Sequence, residues 1–237
     1  FADEYTAYAP NVIYSYSNIG PTLLGHAIQH VTKKSYSDYL FEEVLNPMGM
    51  PSSFFSQHLK GSHAAKNYQN GKLERQLSSV DIPAAGLNSS VLDLARLIML
   101  VNGEGQIKQQ RILTKKTMNE MQMPQNADVA LDLNLRLGLG WFFMDTAFNR
   151  REKVIFHNGG AAFHRSIVAA MPDRKLGVVV MMNSPAPEKT LNTIAEKSLK
   201  LLLEVKTGQS FPLEQEEMPV SWHKGDYIND NIAGYYM

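Results

Sequence analysis

Ser166-Ile167-Val168-Ala169-Ala170-Met171-Pro172-Asp173-Arg174-Lys175-Leu176-Gly177-Val178-Val179-Val180-Met181-Met182 decides the fold class. Two apolar runs flank a turn in which Pro172 presets φ and Asp173 favours local hydrogen bonding, so they read as strands closed into an antiparallel hairpin. Upstream, residues 137–144 and 154–156 are shorter apolar runs bounded by Gly, Asn and Asp, and also read as strands. Downstream, residues 187–205 read as a long helix with Pro187 near its first position, Leu199, Leu202 and Leu203 on its face, and Gly208 at its stop. Before residue 132 the pattern is helical. Leu23, Leu24, Ala27, Ile28 and Val31 form one apolar face of a helix over 19–33. Ser35 with Asp38, Ser90 with Asp93, and Thr114 open three more, ending near Leu45, Val101 and Met121. Residues 51–87 are turn-rich, with short strands. Helices first, then an antiparallel meander covered by a helix, is α+β organisation.

The composition excludes several function classes. Among 237 residues, 23 basic and 23 acidic side chains cancel, whereas a nucleic-acid-binding surface would be basic. The longest apolar runs, such as 177–182, fall far short of the roughly 18 residues of a membrane span. The absence of cysteine rules out disulfides and thiolate chemistry. Phe1-Ala2-Asp3-Glu4 is not a signal peptide. The chain starts without Met and stops at the apolar Ile232-Ala233-Gly234-Tyr235-Tyr236-Met237. Natural termini are usually polar, so both ends are expected to be cut from something longer.

Two segments carry candidate chemistry. In Tyr16-Ser17-Asn18, at the mouth of the first helix, a phenol and an amide could transfer a proton and orient a carbonyl, if a cation lowered the phenol's pKa. The plainer reading is that Asn18 caps the helix, and Tyr-x-Asn recurs at Tyr68-Gln69-Asn70 and Tyr227-Ile228-Asn229. In His157-Asn158-Gly159-Gly160, a strand delivers a histidine and then two glycines that admit close approach to the backbone, as an oxyanion hole requires; a glycine-rich turn is the plainer reading. His26 and His30 lack the Glu of the metalloprotease pattern, so no metal site and no cofactor is expected.

Taken in order, these segments resemble the serine β-lactamase-like superfamily, in its branch of class C β-lactamases, D-alanyl-D-alanine peptidases and related esterases. Tyr14-Ser15-Tyr16-Ser17-Asn18-Ile19-Gly20 is similar to the family's Tyr-Ser-Asn segment, and Asn46-Pro47-Met48-Gly49-Met50 to its Pro-Leu-Gly-Met turn. Pro83-Ala84-Ala85-Gly86-Leu87 through Asp93-Leu94-Ala95-Arg96 is similar to its Pro-Ala-Gly-Gly-Leu…Asp-Leu-Ala-Arg stretch. Leu137-Gly138-Leu139-Gly140-Trp141 and Phe156-His157-Asn158-Gly159-Gly160 follow.

The resemblance implies a β-lactamase/transpeptidase-like fold, with an antiparallel sheet flanked by helices and a mostly helical subdomain. It divides the chain into a hydrolase domain over 1–210 (helical part about 10–130, sheet part about 135–205) and a linker over 211–237 that resembles the start of a C-terminal domain. Tyr16 would shuttle the nucleophile's proton, Asn18 would bond the substrate carbonyl and the catalytic lysine, and His157 would stand where many members carry the Lys of a Lys-Thr-Gly triad. Asn158 and Gly159 would line the substrate strand, and the Gly160 N–H would donate to the oxyanion.

The nucleophile, a Ser in Ser-x-x-Lys ahead of the tyrosine, does not precede Tyr16. No Ser-x-x-Lys is expected anywhere in this chain, and the nucleophile's helix and the first sheet strands are expected to be missing with it, so these 237 residues alone should be catalytically silent. The intact protein would transfer the acyl group of a β-lactam, a D-Ala-D-Ala-type peptide or a small ester, with the upstream part of the same protein as partner. It would sit in the periplasm or outside the cell, where that chemistry occurs. Two rivals are a non-catalytic penicillin-binding-like module that senses or scaffolds cell wall, and an unrelated α+β domain, in which Tyr16 and His157 would lie far apart.

Overall fold

The computed structural model describes residues 8–57, 64–75, 77–78, 81–133, 135–148 and 150–211. The helical part comes first. α1 (Ile19–Thr32) precedes α2 (Tyr36–Leu40), which continues as a π-helical turn over Phe41–Leu45. Small antiparallel pairs follow, β1 (Phe54–Phe55) with β4 (Leu87–Asn88) and β2 (Asn67–Gln69) with β3 (Lys72–Glu74), the short α3 (Ile82–Ala85) lying between β3 and β4. Next come α4 (Val91–Asn102), the pair β5 (Gln106–Ile107) and β6 (Gln110–Arg111), and α5 (Lys115–Met121). Then β7 (Phe142–Phe143), β8 (Ile155–Gly160), β9 (Arg165–Met171) and β10 (Leu176–Met182) build one antiparallel sheet in the order β10-β9-β8-β7, and α6 (Glu188–Thr207) closes the domain.

The expected hairpin forms with Leu176 opposite Met171 and Met182 opposite Arg165. Its turn is a 3-10 segment, Pro172–Arg174, with Lys175 left-handed. β9 shows why the runs are continuously apolar: Ser166 to Met171 are all buried. Ile167, Ala169 and Met171 join Leu191, Ala195, Leu199 and Leu203 of α6, while Val168 and Ala170 join Leu94, Ile98 and Val101 of α4. A strand covered on both faces has no solvent side to alternate toward. The sheet thus lies between α4 and α6. α4 comes so close that a Cβ on Gly177 would stand 2.4 Å from Ile98 Cγ2. Gly177→Ala should therefore cost about 1–3 kcal/mol, read as a lowered urea midpoint, while an unchanged midpoint would show that Ile98 simply moves aside.

Three helix starts follow their side-chain signals. Ser35 Oγ accepts from the Asp38 N–H at 3.1 Å, Ser90 Oγ from Asp93 at 3.2 Å and Thr114 Oγ1 from Thr117 at 3.0 Å. Gly208 ends α6 at φ 71°.

The Asn46–Met50 turn and the Asp93–Arg96 segment meet in one junction. Asp93, 2% exposed, accepts on Oδ2 from the Ser52 N–H and the Ser53 hydroxyl, each at 2.8 Å, and on Oδ1 from Arg96 at 2.8 Å. Met48 and Met50 enter the same core as Leu94 and Ile98. Asn88, formally a glycosylation acceptor, is buried with its amide donating to the Gly86 carbonyl at 2.9 Å.

The structure corrects three expectations. Of residues 137–144 only Phe142–Phe143 is strand, because Gly138 packs where a Cβ would meet the Met121 carbonyl at 2.4 Å and Gly140 takes φ 76°, turning the chain. The apolar face of α1 is not buried among the described residues, with Leu23 48%, Leu24 68% and Val31 79% exposed; only Gly25, packed on Pro83, is buried. Leu202 is 41% exposed, whereas Leu199 and Leu203 are buried as expected. Tyr227–Asn229, residues 232–237 and nearly all of the expected 211–237 linker lie outside the described residues.

His164, 1% exposed at the approach to β9, is held neutral: burial pushes its imidazole below the ordinary range. The unfolded chain takes up a proton near pH 6.5 that the native chain refuses. This contribution to stability is therefore complete above about pH 6.5 and is lost as pH falls toward the lowered folded value, by at most about 1.4 kcal/mol per pH unit. Urea titrations between pH 7 and 5 should show the decline, and His164→Gln should lessen it. An identical pH dependence in the variant would assign it to other groups.

Candidate active site

The site is built where the start of α1 meets the outer end of β8. The segment before Tyr16 is tied down by backbone bonds to Leu131: its N–H reaches the Val12 carbonyl at 3.0 Å, and its carbonyl accepts from Tyr14 at 2.9 Å. Ser17, not Asn18, supplies the local bond at the helix mouth, its Oγ accepting from the Ile19 N–H at 3.2 Å. Asn18 makes no side-chain cap bond and is exposed, so the capping explanation does not account for it. Its carbonyl instead anchors Thr22, whose hydroxyl is 2.9 Å away.

The four-residue segment from His157 is not a turn but the second half of β8, paired with β9 from His157 opposite Val168 to Gly160 opposite Arg165. β7 covers only Ile155 and Phe156. Among the described residues no strand covers His157–Gly160 on that side, which leaves an open sheet edge. At Gly160 an added Cβ would meet nothing within 4 Å among the described residues, so its small size answers to none of them.

The structure brings Tyr16 and His157 together, with ring centroids 6.5 Å apart. That proximity is the opposite of what an unrelated domain would show. Phe142 lies between their elements, stacked with Tyr16 at 6.5 Å, 5.6 Å from His157 and 5.7 Å from Phe156, with Tyr14 edge-on at 6.5 Å. Burial, and secondarily the charge of Tyr16, push the Tyr14 phenol above its ordinary value, so Tyr14 stays protonated. His157 Nδ1 lies 2.7 Å from the Asn158 carbonyl oxygen. Only an N–H can satisfy that contact, so Nδ1 donates to the Asn158 carbonyl.

Asn158 departs from its expected place. Period-two alternation turns its side chain to the α6 face, where its amide donates to Glu188 and, at 3.2 Å, to Asn192. Only its backbone is left to line the open edge, as with Gly159. Phe142 was missed because Trp141-Phe142-Phe143 reads as core; Glu188 and Asn192 were missed because a helix start gave no hint of which strand it would meet.

Among the described residues no group of three or more His, Asp or Glu side chains converges as a metal site, and no helix is long and apolar enough to cross a membrane. Ser221-Trp222-His223-Lys224 corrects one expectation: the chain does contain a Ser-x-x-Lys spacing. It follows the tyrosine instead of preceding it, and lies outside the described residues.

A sheet sandwiched between helices, with a tyrosine at a helix start beside the open end of a His-x-Gly strand, defines a β-lactamase/transpeptidase-like scaffold. The Beta-lactamase family profile matches residues 2–202, and the chain belongs to that family. It is similar to Protein flp of Staphylococcus aureus (strain MW2), 28% identical over 181 residues, 73% of this chain and 34% of that protein. It is also similar to the probable hydrolase clz13 of Cochliobolus lunatus, 23% identical over 232 residues, 96% of this chain and 33% of that protein. The chain thus spans about a third of the length of these curated relatives. Among solved structures, the octameric penicillin-binding protein homologue from Pyrococcus abyssi superposes with TM-score 0.65 at 24% identity, covering 86% of this chain and 45% of that one. A β-lactamase from Sulfitobacter sp. EE-36 superposes with TM-score 0.63 at 17% identity, covering 82% and 60%.

Proposed function

We propose that the intact protein containing this chain is a serine hydrolase that transfers an acyl group from a small ester, a D-Ala-D-Ala-type peptide or a β-lactam, outside the bacterial cytoplasm. The observation that carries the reading is the meeting of Tyr16 and His157 beside the open edge of β8. A Ser-x-x-Lys segment upstream of Tyr16 would supply the nucleophile. Its hydroxyl oxygen bonds to the substrate carbonyl carbon while its proton passes through the lysine and Tyr16 to the leaving group; water then releases the acid and regenerates the serine. Asn18 orients the substrate, and the Gly160 N–H donates to the oxyanion. A phenol titrates near pH 10 in water, so Tyr16 needs the lysine's charge to act as a base at neutral pH. His157 in place of a fixed ammonium holds a substrate carboxylate less firmly, which favours ester or peptide over β-lactam.

The test is intact-mass spectrometry of the full-length protein after incubation with a fluorophosphonate and, separately, a penicillin, followed by peptide mapping. The expected result is one phosphonate adduct on a serine upstream of Tyr16. A penicillin adduct on the same serine would extend the substrate range to β-lactams. Modification at Ser221 would overturn the assignment, and no adduct with either probe would favour the sensing or scaffolding module.

A further inference from the structure

We propose that Glu188 is a positioning residue of this site: from the start of α6 it acts through Asn158 to fix the His157 ring and the open edge of β8. The inference rests on the acyl-transfer reading above and adds to it a residue that acts through another.

The phase of the strand ladder sets which backbone groups meet the open edge. In an antiparallel sheet, successive residues turn their N–H and C=O groups to opposite sides of the strand. The Ala161 N–H bonds to the His164 carbonyl at 3.0 Å, in register with the β8–β9 pairing, so the odd-numbered residues of β8 face β9. The Met144 N–H bonds to the Val154 carbonyl at 2.9 Å, in register with the β7–β8 pairing, so the even-numbered residues face β7. The pairing with β7 reaches only as far as Phe156. Asn158 and Gly160, next in that phase, therefore turn their N–H and C=O groups to the side that no strand covers among the described residues.

The Asn158 carbonyl is one of those outward groups, and His157 Nδ1 engages it at 2.7 Å. The Asn158 side chain goes to the α6 face, where its amide donates to Glu188 and, at 3.2 Å, to Asn192. Its Oδ1 is buried with no hydrogen-bond partner among the described residues, so the two donations are what holds the side chain. Of the two acceptors, the carboxylate is the stronger. Glu188 also stands on firm ground. It lies in the first turn of α6, and Leu191, 2% exposed, seats that turn in the core shared with β9. Asn158 is thereby pinned at both ends, by its side chain to the helix and by its carbonyl to the imidazole. Released from Glu188, the Asn158 peptide can turn, and the ring turns with it. A misplacement of about 1 Å is enough to slow a positioned reaction about a hundredfold. A Glu kept only to complement the helix dipole would affect stability and leave His157 alone.

The experiment uses the full-length protein with ¹⁵N-labelled histidine. The His157 Nδ1–H resonance, assigned by its loss in His157→Gln, should be protected from exchange with water in wild type and should disappear in Glu188→Ala. Glu188→Gln, which keeps an acceptor at the same reach, should retain it. With p-nitrophenyl butyrate, Glu188→Ala should lower kcat about tenfold or more with KM within about twofold, and Glu188→Gln should recover the rate. Asn158→Asp sets two carboxylates together and should also lose the resonance; adding Glu188→Gln, which then supplies the donor, should restore it. This exchange of donor and acceptor decides even where Glu188→Ala fails to fold. A resonance that survives Glu188→Ala, or a double variant that recovers nothing over Asn158→Asp, overturns the proposal. The resonance reads His157 whether or not an ester turns over, so its outcome is separate from that of the acyl-transfer reading, which the phosphonate adduct tests.

Discussion

Tyr16→Phe in the full-length protein should lower kcat by about 10²–10⁴-fold, the usual range for loss of a general acid–base group. The substitution removes one oxygen and keeps the ring, so the stack on Phe142 and the position beside His157 are preserved. Substrate binding should change little, and the loss should fall on kcat and not on KM. The wild-type pH–rate profile should carry an ionisation that the variant lacks, since the proton relay would pass through the phenol. Steady-state hydrolysis with a pH profile checks this. A loss under tenfold, with the profile unchanged, would remove Tyr16 from the relay and leave the lysine to act without it.

The largest effect on folding is expected at Asp93. Its carboxylate is 2% exposed and receives the Ser52 N–H, the Ser53 hydroxyl and Arg96, while Ser53 Oγ also lies 2.7 Å from Ser89 Oγ. Asp93→Ala would leave the Ser52 N–H and Ser53 hydroxyl buried without their acceptor and open a void beside Leu94. Removing one member of a buried, hydrogen-bonded charge pair costs about 3–5 kcal/mol. Arg96, partly exposed, can turn to water, which places the expectation at the lower end of that range. A urea titration of the 237-residue chain measures it directly. A cost below about 1 kcal/mol would show that water replaces the carboxylate.

These two residues also divide what each family-like segment does. The Asn46–Met50 turn and the Asp93–Arg96 segment, read in sequence only as landmarks, serve one structural junction: the turn's methionines fill the core that Leu94 and Ile98 enter, and Arg96 packs beside Gly49 at φ 73°. The Tyr16 and His157 segments are different. Neither is consumed by local structure, since Asn18 does not cap its helix and Gly160 has no neighbour among the described residues where a Cβ would stand. A side chain that the fold does not use is available for chemistry, which is why the plainer readings of both segments fail.

Much of the architecture was written in short-range pattern. The hairpin, the three capped helix starts and the α6 stop depend on interactions within four residues, on φ preferences and on the periodicity of apolar side chains, so they can be read before any tertiary contact is known. The α+β order and the family resemblance followed from the same segments taken in series. Where the sequence misled, a distant neighbour had decided. The Leu137-Gly138-Leu139-Gly140 run looked like strand until the end of α5 claimed its backbone, with Leu139 N–H bonding to Met121 at 3.0 Å.

The functional geometry was the least legible part. Tyr16 and His157 are 141 positions apart in the chain, and the fold brings them together with Phe142 of β7 between their elements. Asn158, adjacent to His157 in sequence, points to the opposite face and belongs to α6. The sequence by itself determined most of the helix and strand segments and singled out the residues whose chemistry makes them candidates, because those properties are local. Only the tertiary structure decided which of them share a site, because that depends on strand register and on which side of the sheet each residue falls, where a shift of one residue exchanges one face for the other.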